Sequence, residues 1–127
     1  MSEPQPDRAK RQGARREAQA RGHKAETWAA LFLLVKGYRV LERRFKTPVG
    51  EIDLIARKGC RIVFAEVKQR ATVELCEAAV TAETRRRVRR AASWWMGRHP
   101  QYQDFEQSFD LVFVTRRRLP QHLPNAL

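Results

Sequence analysis

GEIDLIARKGCRIVFAEVK, residues Gly50 to Lys68, is the stretch on which the fold turns. Its two halves are rich in branched residues and are broken by Lys58-Gly59-Cys60, so it reads as two antiparallel strands and a turn. With Gly59-Cys60 as a two-residue loop, Gly59 suits the first position of a type II′ turn, where φ is positive. Lys58 then faces Arg61, and Asp53 falls opposite Glu66. Alternation puts Glu51, Asp53 and Ile55 on one face of the first strand. It puts Ile62, Phe64, Glu66 and Lys68 on one face of the second. Ile52, Leu54 and Ala56 pack on the other side with Val63, Ala65 and Val67. Two acids and a lysine therefore converge on one face, amid residues that belong in a core.

Like charges directly opposite one another destabilise a sheet. Burial sharpens the conflict, and two close carboxylates tend to keep a proton between them. A dication would remove it. Carboxylate oxygens and water are hard ligands, suited to Mg²⁺ or Mn²⁺. Two or three protein oxygens leave room for waters and a phosphate. Such an ion polarises a phosphoryl oxygen and helps generate hydroxide. Lys68 beside it can hold the attacking water or stabilise charge growing on phosphorus. A salt bridge among Asp53, Glu66 and Lys68 is the other reading these residues allow.

Working outward, Lys24 to Lys36 has a helical pattern. Ala25, Trp28, Ala29, Phe32 and Val35 recur at spacings of three and four, which makes Trp28 a core residue. Gly37 stops that helix. Upstream, Met1 to about Ala9 reads as a disordered tip. Lys10 to Lys24 is basic, and either extends the helix or forms a polycationic arm. Tyr38 to Lys46 is a partly exposed strand, with Tyr38, Val40 and the stem of Glu42 on one side and Leu41 and Phe45 on the other. Cys76 to Arg98 reads as one long helix with Val80, Val88, Ala92 and Trp95 inward, ended by His99-Pro100. Ser108 to Arg116 is a buried strand. A helix between two strands of one sheet marks a crossover. RRRLPQHLPNAL closes the chain as a basic, proline-broken tail. The expectation is one α/β domain in the order α-β-β-β-α-β. Residues 1–21 form an arm, 22–118 the domain and 119–127 a tail.

The 127 residues carry a net charge of +12, with an isoelectric point near 11.0. That balance favours polyanions, nucleic acid before membranes. Cys60 and Cys76 stand alone, without a CxxC pair, which argues against a disulfide framework and a structural zinc. The longest apolar run, Trp28 to Val35, is too short to span a bilayer. A soluble protein of the reducing cytoplasm is expected. His23, His99 and His122 show no HxxxH or triad spacing and take no role. Asp110 is expected to act as a cap or salt-bridge partner. Thr84 to Arg90 is the densest cationic segment, and Arg85, Arg86, Arg89 and Arg90 are its candidate phosphate contacts. The arm and Arg116 to Arg118 would extend that track.

Asp53, followed a hairpin later by Glu66-Val67-Lys68, resembles the D…(D/E)xK signature of restriction-endonuclease-like nucleases. GHKAE (22–26), KGYRVLERRF (36–45), TPVGEIDLIAR (47–57) and VFAEVKQR (63–70) together resemble the YraN-like family of small bacterial proteins. The resemblance runs from Gly22 to Thr115. It implies a restriction-endonuclease-like fold, as in Holliday-junction resolvases and tRNA-splicing endonucleases. It also implies Mg²⁺ or Mn²⁺ as cofactor, with Asp53, Glu66 and Glu26 as metal carboxylates and Lys68 as the catalytic lysine. Glu51 and Gln69 would be supporting, Gln69 pointing to the opposite face. Relatives carry a lysine early in the second helix, where this chain has AETRRRV (82–88). Arg85 or Arg86 stands in its place, with forked donors instead of a compact charge.

The expected function is metal-dependent hydrolysis of phosphodiester bonds in structured or branched DNA, with RNA also open. A nuclease-like fold that only binds nucleic acid is the first alternative. An accessory protein docking on an acidic partner is the second. Homodimerisation is left open.

Overall fold

The computed structural model describes residues 6–127. Of the tip expected over Met1–Ala9, residues 1–5 lie outside these. Helix α1 spans Pro6–Val35, so the basic segment continues the helix. Its end is the one expected. Gly37 takes φ 93°, while the Gly37 and Tyr38 amides donate to the carbonyls of Leu34 and Leu33, closing the helix with a Schellman pair.

Three antiparallel strands follow, β1 (Arg39–Thr47), β2 (Gly50–Lys58) and β3 (Arg61–Gln69). Then come α2 (Val73–Ala79), α3 (Ala82–Gly97), a 3-10 turn at Pro100–Tyr102, β4 (Glu106–Val114) and β5 (Gln121–Leu123). The sheet order is β1-β2-β3-β4-β5, with β3 and β4 parallel and the other neighbours antiparallel. The protein is thus mixed α/β, with five strands among the described residues.

Both faces of the sheet are covered. Ala29 and Leu33 of α1 pack with Tyr38, Leu54, Ala56, Val63, Ala65 and Val112 on one face. Val88, Ala91, Ala92 and Trp95 of α3 pack with Ile55, Ile62, Phe64 and Phe113 on the other. Fully burying side chains such as Phe64, Leu33 or Ile62 stabilises by roughly 1.5–3 kcal/mol each.

Several expectations are corrected. The inward stripe of α1 is Ala25, Ala29 and Leu33, while Trp28 is 59% and Val35 86% exposed. WAALFLLV is apolar all round, so periodicity alone did not separate its faces. The expected helix Cys76–Arg98 is two helices. Thr72 caps α2 and Thr81 caps α3, each accepting a backbone N–H on its hydroxyl, and Val80 between them is extended. The tail contributes β5 and buries Leu127 against the α3 side of the core.

The hairpin register is as read: Lys58 pairs Arg61 and Leu54 pairs Ala65. Gly59 has φ 60°, as a type II′ turn requires. The facing of β2 differs from strict alternation. Ile52 and Ile55 both belong to the α3 side, with Leu54 between them on the α1 side. Arg43 pairs Leu54 and Phe45 pairs Ile52, so Arg44, whose φ is 52°, falls opposite Asp53, and the irregular backbone of β1 lies beside the departure in β2. A second irregularity at Leu41, between Val40 and Glu42, leaves Glu42 opposite Ile55 and not beside Tyr38 and Val40.

Candidate functional site

The ladder between β2 and β3 runs from Lys58–Arg61 to Leu54–Ala65. One step beyond, the Asp53 side chain replaces it: Oδ2 accepts the Val67 backbone N–H at 2.8 Å. The strands part there, and a cleft of about 630 Å³ opens, lined by Arg21, Gly22, Ala25, Glu26, Asp53, Glu66, Val67, Lys68, Gln69 and Arg70.

Asp53 and Glu66 both line this cleft, and each carboxyl acts on the other's acidity. Burial, then the charge of Glu66, push Asp53 from 3.8 up to about 8, with Glu26 adding to the rise. Glu66 is also raised, by burial, although the Lys68 ammonium pulls against it. Lys68 Nζ lies 3.2 Å from Glu66 Oε1. Both carboxyls are therefore less acidic than usual, and their protonation is coupled.

Glu26 enters the cleft wall from α1, but its Oε2 is paired with Arg44 Nε at 2.5 Å. The unusual backbone of Arg44 and the holding of Glu26 are thus one feature. Among the described residues no three His, Cys, Asp or Glu side chains form a ready cage for a metal. A smaller donor set fits: Asp53 and Glu66 supply hard oxygens at a point where like charges conflict, and waters and phosphate would complete the shell.

Glu51 lies outside the cleft lining and pairs with Arg87 Nη2 at 3.1 Å, though its charge is felt at Glu66. Gln69, expected on the opposite face, instead lines the same cleft as Lys68. No α3 residue lines it. Arg85, Arg86, Arg89 and Arg90 are exposed on α3. Arg86 holds Glu83 at 2.6 Å. Arg89 donates to the Leu127 carbonyl at 3.1 Å and lies 4.4 Å from the Phe109 ring centroid. Arg85 borders a small hollow with Leu111, Phe113 and Leu123. The residues the sequence reading missed are Arg44, which holds Glu26, and Arg21 and Arg70 on the cleft wall. Arg44 sits inside the ERRF block, but nothing there announces a positive φ.

Elsewhere, Asp110 and Ser108 are buried polar residues. Burial alone would raise the Asp110 carboxyl, but hydrogen bonds from His122, the Asn125 amide and Ser108 outweigh it and leave it lowered. Lys36 donates to His122 Nδ1 at 2.7 Å, which leaves Nε2–H to donate to Asp110 Oδ2 at 2.6 Å. Asp110 is thus an anchor for β5, in keeping with the partner role expected. His99 stacks on Trp95, ring centroids 3.9 Å apart. Cys60 and Cys76 are free thiols. Among the described residues no helix is long and apolar enough to cross a membrane.

These features define a mixed α/β protein with a carboxylate–lysine cleft between parting strands. Residues 25–114 match the profile of UPF0102, described as an uncharacterised protein family, and the chain belongs to that family. A UPF0102 protein of Methylorubrum extorquens is 52% identical over 115 residues, 90% of each chain. One of Agrobacterium fabrum is 50% identical, covering 88% of this chain and 92% of its own. One of Rhodopseudomonas palustris is 50% identical, covering 83% and 82%.

Proposed function

We propose that this protein is a restriction-endonuclease-like, metal-dependent endonuclease that hydrolyses phosphodiester bonds of structured or branched DNA. The observation that carries the reading is the meeting of Asp53, Glu66 and Lys68 in one cleft, with both acids made less acidic by burial. A pair of acids kept in conflict costs stability, and such conflicts concentrate where chemistry is done.

Asp53 and Glu66 would hold Mg²⁺ or Mn²⁺. When bound, that ion supplies Lewis-acid polarisation of the phosphoryl oxygen and lowers the pKa of water. The chain's own groups do the rest. The Val67 N–H fixes the orientation of Asp53. Glu66 positions the Lys68 ammonium, which can donate to the attacking water or to the non-bridging oxygen on which charge grows. Arg21 and Arg70 on the wall attract the flanking phosphates. Arg44 holds Glu26 at the edge, so Glu26 would act as a positioning group.

Purified protein should nick junction, flap or single-stranded DNA with Mg²⁺ or Mn²⁺ and be inactive in EDTA. Asp53→Asn and Lys68→Ala should each lower the rate by about a hundred-fold or more. RNA versions of the same substrates form the second arm. Absence of metal-dependent cleavage over that panel, or cleavage that survives in Asp53→Asn/Lys68→Ala, contradicts the reading. One observation favours a second reading, a nucleic-acid-binding protein without chemistry: Glu26 is paired with Arg44 and does not join the other two acids. That reading predicts binding with a steep salt dependence and no nick under any metal.

A further inference from the structure

A second cleft, of about 510 Å³, lies on the other flank of α1, between that helix and the segment joining β4 to β5. It shares Ala25 and Gln69 with the carboxylate cleft, so the two are adjacent. Its walls are Lys24 and Trp28 of α1, Val114, Thr115, Arg116, Arg117, Arg118, Leu119 and Pro120. Trp28 is 59% and Leu119 75% exposed. Arg116 and Arg117 form a tight turn in which Arg117 takes φ 58°. Among the described residues Lys24, Arg116, Arg117 and Arg118 take part in no ion pair.

We infer that this cleft is a subsite for an unpaired nucleotide strand, in which a base stacks on Trp28 while Lys24 and Arg116 to Arg118 hold its phosphates. The inference rests on the endonuclease reading for its substrate and extends it: the strand on one flank of the cleaved phosphate is single-stranded. The chemistry is specific in two respects. An exposed indole ringed by uncompensated cations matches a flat apolar base bearing phosphates, and base–aromatic stacking tolerates any sequence. A base inside a duplex has both faces covered by its neighbours, so apart from the two end pairs of a duplex only an unpaired base can lie on Trp28. A second copy of this chain is disfavoured as the occupant, because each copy carries a net charge of +12.

The test is equilibrium binding, in EDTA, of a fluorophore-labelled oligothymidylate of about twelve nucleotides and of a blunt duplex of the same length. Trp28→Ala should weaken the single strand about ten-fold and the duplex less than about two-fold, while Trp28→Phe keeps most of the affinity. Arg116→Ala/Arg118→Ala should weaken the single strand and lower the slope of log affinity against log salt by about one to two. Equal single-strand affinity in wild type and Trp28→Ala overturns the inference, as does an equal loss on both ligands. So does Trp28-dependent binding to anionic phospholipid vesicles without strand binding. Because no cleavage is read, an inactive protein leaves this result standing, and a failure here leaves the cleavage assay standing.

Discussion

Asp53 is a carboxyl that folding makes less acidic. Its pKa rises from 3.8 to about 8, through burial first and Glu66 second. Between those values the folded state binds more protons than the unfolded state, so stability falls as pH rises through that window. Asp53→Asn keeps an oxygen for the Val67 N–H and removes the ionisation. In urea unfolding with EDTA the variant should exceed wild type by about 1–3 kcal/mol near pH 8, and the gap should close near pH 4. A wild type at least as stable as the variant near pH 8 would show that Asp53 is not held protonated. Gly50, immediately before the Glu51 of the same strand, is a steric matter. A Cβ there would stand 2.1 Å from the Arg87 carbonyl oxygen, so α3 lies directly on the β2 backbone. Gly50→Ala should cost about 1–3 kcal/mol in the same unfolding assay, because α3 must move to admit a methyl group; an unchanged midpoint would mean that the contact is loose.

At the scale of elements, β5 depends on one buried polar cluster. His122, Asn125 and Ser108 converge on Asp110, and Lys36 ties His122 to the end of α1. The Asp110 carboxyl lies below its ordinary value of 3.8, so this contribution is complete above that value and is lost as pH falls below it. His122→Ala should destabilise by about 3 kcal/mol at neutral pH, because a buried carboxylate loses a charge-assisted partner, and by less near pH 3. A cost under about 0.5 kcal/mol at neutral pH would remove the cluster from the account. This element was not legible in the sequence. A three-residue strand between Pro120 and Pro124 carries too little alternation to stand out, and nothing in the local pattern marks Asp110, 12 residues before His122, as its partner. The split between α2 and α3 did leave a signal, Thr81, a hydroxyl placed to cap a helix. It was masked by helix formers on both sides. By contrast, the turn and register of the β2–β3 hairpin were legible from Lys58–Arg61 to Leu54–Ala65, because a two-residue turn sets its own register.

At the scale of the molecule, helices on both faces of one mixed sheet place the carboxylate cleft where β2 and β3 part beneath α1. The meeting of Asp53, Glu66 and Lys68 was read from hairpin register together with strict alternation, and the register held from Lys58–Arg61 to Leu54–Ala65. The alternation did not hold, since Ile52 and Ile55 share a side, and no pattern of polarity encodes that departure. The exposed position of Trp28 was hidden for a related reason: a helix apolar all round buries whichever stripe the sheet accepts. The central claim is that Asp53 and Glu66 form one site for a dication. Mn²⁺ binding followed by electron paramagnetic resonance near pH 7, with released protons measured in parallel, tests it most directly. The account predicts one Mn²⁺ per chain, about one proton released on binding as Asp53 gives up the proton it holds, tighter binding at higher pH, and loss of the site in both Asp53→Asn and Glu66→Gln. Mn²⁺ bound equally by wild type and these two variants, or not bound by wild type at all, would contradict it.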